Sequence, residues 1–413
     1  MHHETRTGKT LAEEAAIITK SNVSGRYALY NGIVYTPWEK FYGGLIVNGT
    51  IIEQVFRGNI PEAFTGESIK KLNCHDALII PGLVDLHLHG AKGFDFTVAS
   101  TEEIVQAINY HASHGGTTTL LPTLVSAPLE QIKKAVTRIR KARLKLDGPC
   151  LSGVHIEGPF LNPRYKGAHM EAYLKNPAPA IIEDIISSMG DILNMVTLSP
   201  ELPHALAAIT RLTDNGIIAA AGHSGATFEK TEEAISYGLK HVVHTFSAMR
   251  RFHHRSPGIL GAALTLDNLS SEIIADGVHT HRAAVKLLFQ VKPPAKVILV
   301  TDALAVCGLP DQICQLGDKK IISQGGKAFL EDGTLAGSIL TMNRALAGAF
   351  NMSGLSLERI LPAATINPAR LLGISNYTGS LERGKKADIT IINNSFEVLL
   401  TIAQGKPLLT ALN

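Results

Sequence analysis

Histidine is the residue this 413-residue chain uses unusually: it has 17. Several close apolar runs beside an acidic residue. Asp85-Leu86-His87-Leu88-His89 ends one such run, and a strand period of two puts all three polar side chains on one face. His155-Ile156-Glu157 ends a second, Gly222-His223-Ser224 a third, and Thr301-Asp302-Ala303 another, while His244 stands within the run 241–246. Imidazole and carboxylate together are donors for divalent cations and groups for acid–base work. Taken singly, a strand-end His is most often a hydrogen-bonded core residue, and a lone Asp there caps the next helix. Two imidazoles on one face are costly unless something uses them. Five strand ends with such groups are hard to produce by packing alone, and the set reads as a metal-dependent hydrolase.

Something must bring those ends together. From about residue 81 apolar runs alternate with amphipathic stretches. The strand candidates are 83–89, 118–122, 151–157, 195–199, 217–223, 241–246, 272–276 and 296–302, with helices expected over stretches such as 101–114, 128–146 and 228–237. Strand–helix alternation implies a parallel sheet, and eight repeats in this length fit a closed (β/α)8 barrel. In such a barrel the C-terminal strand ends form the active site, which is where the polar groups fall. Short β-branched runs at 27–30, 33–35, 45–47, 51–55 and 77–80, and again at 379–381, 388–392 and 398–402, predict a small β-sandwich built from both chain ends. The expected organisation is an extension over 1–25, a β domain over 26–79 plus 373–413, and the barrel over 80–372.

Composition narrows the function. A net charge of +3, with Lys and Arg spread along the chain, argues against a nucleic-acid surface. No apolar run reaches the roughly 18 residues of a membrane span, and Glu13, Glu14 and Lys20 interrupt the N-terminal apolar stretch, so a cytosolic protein is expected. Cys74, Cys150, Cys307 and Cys314 form no C-x-x-C pair, which leaves neither a disulfide framework nor a thiolate zinc site.

The segment Pro81–Gly90 resembles the opening motif of the amidohydrolase superfamily. More narrowly, the chain resembles N-acetylglucosamine-6-phosphate deacetylases. The resemblance rests on Gly153–Phe160, Lys166–His169, Ala221–Ser224, Ile274–His279, Val300–Ala303 and Leu335–Ser338, in that order along residues 81 to 338. It implies a divalent metal, zinc first among zinc, iron, cobalt and manganese, on Glu157, His223 and His244. His87 and His89 would complete a second position with Glu157 as bridge, so one or two ions are expected. Asp302 matches the catalytic acid–base position. Ala168, His169, Ser247, Ala248, Arg255, His279, Leu335, Ala336 and Gly337 match substrate-contacting positions. The family commonly has Asn where this chain has Ser247. The resemblance further implies a homodimer, in which Arg255 could reach a neighbour's site.

Amide hydrolysis needs a strong nucleophile, a polarised carbonyl and a proton for the leaving amine. A divalent ion can bring the pKa of a bound water to about 7. Asp302 would take the water proton and pass it to the sugar nitrogen. His155 reads as core packing or support, Asp85 as a group that orients His87, and His111 and His114 as complements to their helix dipole. A catalytic thiol at Cys307 has no task left to perform. Phosphate recognition is expected from the basic loop 249–258, through the fork of Arg255. Two rivals stay open: a related amidohydrolase acting on another N-acetyl amino sugar, a cyclic amide or a base, and a non-catalytic amidohydrolase-like assembly protein.

Overall fold

The structure, a computed structural model, describes residues 25–66 and 69–408. The extension expected over 1–25 lies outside the described residues except for Gly25. Eight strands make the barrel: β1 (Leu83–Leu88), β2 (Thr117–Leu124), β3 (Val154–Glu157), β4 (Leu193–Leu198), β5 (Ile218–Ala221), β6 (His241–Val242), β7 (Ser270–Ile273) and β8 (Val297–Leu299). They pair in parallel in that order. The ring closes past the end of β8, where Leu88 bridges to Ala303 and the Asp302 N–H donates to the His87 carbonyl at 2.8 Å. Every expected barrel run is present. Several stop short because the backbone turns left-handed at the functional residues His223 (φ 48°), His244 (φ 29°) and Asp302 (φ 50°). Non-glycine residues rarely adopt that region, and such strain concentrates at sites of function.

The barrel interior is packed, not hollow. Val84, Leu86, Leu121, Met195, Ala220, Val243, Ile298 and Val300 are buried together inside it. A larger apolar layer lies between strands and helices, and each fully buried aliphatic side chain there contributes roughly 1.5–3 kcal/mol. The first barrel helix, Thr101–Gly115, shows why these segments are helical. Ser100 and Glu103 form a reciprocal capping box, and Gly116 ends the helix at φ 71°.

Both chain ends share one further sheet. Its strands run in the order 406–408, 398–403, 389–392, 78–81, 26–35, 40–48 and 51–57, with 70–73 also pairing with 26–35. It has its own core, including Leu29, Leu45, Ile79, Ile389 and Ile402. The expected strands 27–30 and 33–35 are one strand, Arg26–Tyr35. The Asn31-Gly32 pair is a bulge within it, not a turn. No strand forms at 379–381, where Gly379 (φ 88°) is pressed against Ile366 and Ala369.

One element has no counterpart among the expected strands. Ile313–Leu316, Lys319–Gln324, Lys327–Phe329 and Leu335–Gly337 form an antiparallel meander between β8 and the last helices. Its Leu316, Ile321, Ala328 and Leu330 pack on Val125, Leu304 and Val306 above the barrel.

Candidate active site

Glu157, at the end of β3, is the hub. Its Oε1 lies 3.0 Å from His223 Nε2, 2.9 Å from His244 Nε2 and 3.4 Å from His87 Nε2. Its Oε2 lies 3.4 Å from His89 Nε2 and 3.2 Å from His169 Nε2. Asp302 Oδ1 stands 3.1 Å from His89 Nε2 and 3.6 Å from His87 Nε2. Two groups of cation-type donors result: Glu157, His223 and His244; and His87, His89 and Asp302. The ligand atoms within each group lie within 4.8 Å of one another. The Nε2 atoms of His223 and His244 are only 3.0 Å apart, and the buried His87 Nε2 has no hydrogen-bond partner. Nitrogens that converge on one carboxylate oxygen, with an orphaned ring nitrogen beside them, fit a divalent cation.

Each imidazole is aimed by what its other nitrogen meets. His223 Nδ1 donates to the Tyr165 carbonyl at 2.8 Å, and His89 Nδ1 to that of Thr123 at 3.2 Å. His87 Nδ1 lies 3.0 Å from Glu272 Oε2. Glu272 also accepts from His241 Nε2 at 2.9 Å and from the His244 N–H at 3.0 Å. Such outer partners fix tautomer and ring orientation. Burial pushes the His223 pKa down to about 4, whereas for His87 and Glu157 mutual attraction outweighs burial. Glu157, Glu272 and Asp302 hold His87 well above the usual imidazole range. His87 and His169 hold Glu157 well below the usual carboxylate range.

The structure corrects the expectations for Asp85 and His111 and agrees with core packing for His155. Asp85 does not touch the His87 ring; it accepts the His87 backbone N–H at 3.2 Å and the Thr301 hydroxyl, and Glu272 orients the ring instead. His155 bridges Thr123 and Thr197 and belongs to the barrel core. His111 is fully buried, donates from Nε2 to the Gly90 carbonyl at 3.0 Å, and has its pKa pushed down to about 4 by burial. It is therefore neutral and cannot complement the helix dipole. Burial also pushes the Cys307 thiol up to about 12, as suits a core residue.

Above the hub opens a cavity of about 780 Å3. Ala168, His169, Ser247, Ala248, His279, Leu335, Ala336 and Gly337 all line it. Arg255 does not. It is exposed, with Nη1 3.2 Å from His254 Nε2, and the arginines on the wall are Arg164, Arg250 and Arg251. The meander supplies Leu316, Thr334 and the strand Leu335–Gly337, and Gly337 is needed there because a Cβ would lie 3.0 Å from the Asp302 carbonyl.

Residues 78–408 match the amidohydrolase family. The chain is 35% identical over 334 residues to the N-acetylglucosamine-6-phosphate deacetylase of Bacillus subtilis, covering 80% of this chain and 84% of that one. It is 36% identical over 347 residues to that of Danio rerio, covering 81% and 85%. The solved structure of a mutant deacetylase from Mycobacterium smegmatis, in complex with N-acetyl-D-glucosamine-6-phosphate, superposes with a TM-score of 0.87 at 31% identity. It covers 94% of this chain and 100% of that one. The chain belongs to the N-acetylglucosamine-6-phosphate deacetylases of the amidohydrolase family.

Amidohydrolases of this family are metal-dependent enzymes, and the donor set around Glu157 has the matching chemistry. Two parts of this deacetylase site escape sequence reading. Glu272 reads only as the start of a strand, although a lone carboxylate in an otherwise apolar barrel run is a signal. Arg164, Arg250 and Arg251 yield to Arg255 in the sequence, because nothing in the spacing tells which side chains of a basic loop face inward.

Proposed function

We propose that this chain hydrolyses the N-acetyl group of N-acetylglucosamine 6-phosphate, giving glucosamine 6-phosphate and acetate. The observation that carries this reading is the convergence of His87, His89, His223 and His244 on Glu157 beneath a cavity bordered by Asp302. Glu157, His223 and His244 would hold one divalent ion, and His87, His89 and Asp302 a second, with Glu157 between them. Zinc is the first choice; iron, cobalt and manganese suit the same donors. A bound ion supplies Lewis acidity and an acidified water.

The chain's own residues do the rest. Asp302, whose pKa is lowered by His87 and His89 against the effect of burial, is a carboxylate ready to accept the proton of the attacking water. As the C–N bond breaks, it returns that proton to the sugar nitrogen. His169 is held by Ser126 Oγ at 2.9 Å and stands where it can donate to the acetyl oxygen. Ala168, Ser247, Ala248, His279 and the strand Leu335–Gly337 would shape the sugar site. Ser247 donates over a shorter reach than the Asn common in the family.

Arg255 lies off the wall of its own chain, so we assign it to the phosphate of a neighbouring subunit in a homodimer. The small domain is taken as 26–79 plus 373–413 and the barrel as 80–372. Four free cysteines suit the cytosol. Acetate release from the 6-phosphate and from the unphosphorylated sugar, with zinc-loaded protein, tests the assignment. Strong preference for the phosphosugar is expected; equal turnover of both would move the chain to another N-acetyl amino sugar.

A further inference from the structure

His241 is a buried histidine that the catalytic reading leaves unused. It opens β6, in register with Ser270 at the start of β7, and is wholly buried. Its ring is held at both nitrogens: Nδ1 lies 2.8 Å from Ser270 Oγ, and Nε2 lies 2.9 Å from Glu272 Oε1. Ser270 is tied down in turn, its hydroxyl 3.2 Å from the Lys240 carbonyl. The other Glu272 oxygen, Oε2, is shared by His87 Nδ1 and the His244 N–H, each at 3.0 Å. One line of contacts therefore runs from Ser270 through His241 and Glu272 to His87. It ends at His87 Nε2, which is buried without a hydrogen-bond partner, 3.4 Å from Glu157 Oε1.

Packing alone does not account for this line. The barrel interior is filled largely by aliphatic side chains, and well-packed apolar residues there would serve stability as well as a buried carboxylate and imidazole. Polar groups at that depth are costly unless something uses them. The use lies at the far end, in how His87 is aimed. His223 and His89 lean on backbone carbonyls, those of Tyr165 and Thr123. His87 leans on a side chain, and a carboxylate turns unless both its oxygens are held. His241 holds the oxygen that His87 leaves free. We infer that His241 is a positioning residue for the second cation position. With Ser270 it locks the Glu272 carboxylate, and through it the His87 ring, so that His87, His89 and Asp302 take an ion beside the one on Glu157, His223 and His244. The inference rests on the two-ion reading above.

Titrating metal-free protein with cobalt(II), followed by calorimetry and by the visible spectrum of the bound ion, tests it. The parent should take two ions per chain. His241→Phe should take the first as the parent does and the second about 10–100-fold more weakly. His241→Gln, whose amide can still donate to Glu272, should recover much of that loss. Parent affinities for both ions in His241→Phe would overturn the proposal. So would equal weakening of both, which marks a general defect of the barrel, or a Gln variant no better than Phe. A parent that binds one ion would overturn the two-ion reading and the proposal with it. If His241→Phe does not fold, Ser270→Ala decides: it frees the outer edge of the ring and should weaken the second ion alone, and unchanged binding would overturn the proposal. None of these readouts depends on turnover, so they stand even if the protein hydrolyses a different sugar.

Discussion

The backbone N–H of Asp302 donates to the carbonyl of His87 at 2.8 Å, and that bond closes the barrel. The chain just past β8 meets the end of β1 there, so the closure register and the spacing of two site residues are one fact. The same contact leaves Asp302 Oδ1 within 3.1 Å of His89 Nε2.

Asp302→Asn should lower the rate of acetate release by about 10²–10⁴-fold, the usual worth of a positioned acid–base group. Glu157, His223 and His244 are untouched, so ion should remain bound to them. Turnover together with metal content checks both halves, and undiminished turnover would remove Asp302 from its role.

Glu272→Gln attacks the site from behind. Glu272 is fully buried and accepts from His87, His241 and the His244 backbone. Losing its charge should weaken metal affinity by about 10–100-fold. Competition with a chelator measures this, and an unchanged affinity would show that the His87 ring does not need its carboxylate.

Arg255 can be tested by mixing. Arg255→Ala and Asp302→Asn proteins should each be poorly active alone. Once their subunits exchange, a mixed dimer pairs an intact Asp302 with a neighbour's intact Arg255. Recovered activity is expected; none would show that Arg255 does not act across the interface.

His111 gives a pH signature. Its folded pKa is about 4 and its ordinary value 6.5. Between those values the unfolded chain binds a proton that the folded chain refuses, so stability falls as pH drops through that window and is unaffected above pH 7. The loss amounts to about 3 kcal/mol when complete. His111→Gln keeps a donor for the Gly90 carbonyl and does not titrate. Unfolding free energies at pH 7 and pH 4.5 should differ less in the variant than in the parent.

The barrel and the donor cluster are legible in the sequence because both obey simple periods. Strand alternation puts His87 and His89 on one face, and the spacing of apolar runs supplies eight strands. What escapes depends on contacts distant in sequence. Glu272 matters only because β7 lies beside β6 in register, bringing it to His241 and His87. The meander over 313–337 is built of short, charged strands with no continuous apolar pattern. Its turn residues, Gly317, Gly325-Gly326 and Gly333, are visible in the sequence, each at positive φ.

The shared sheet imposes an order on synthesis. Leu78–Pro81 leads directly into β1, yet its partner Ile389–Ile392 leaves the ribosome more than 300 residues later. Through most of translation one edge of that strand stays open, an invitation to mispairing with other chains. The segment from Ile389 onward therefore acts as a latch. A nascent chain stalled before residue 389 would already hold every donor around Glu157, yet its first barrel strand would hang from an unsealed edge.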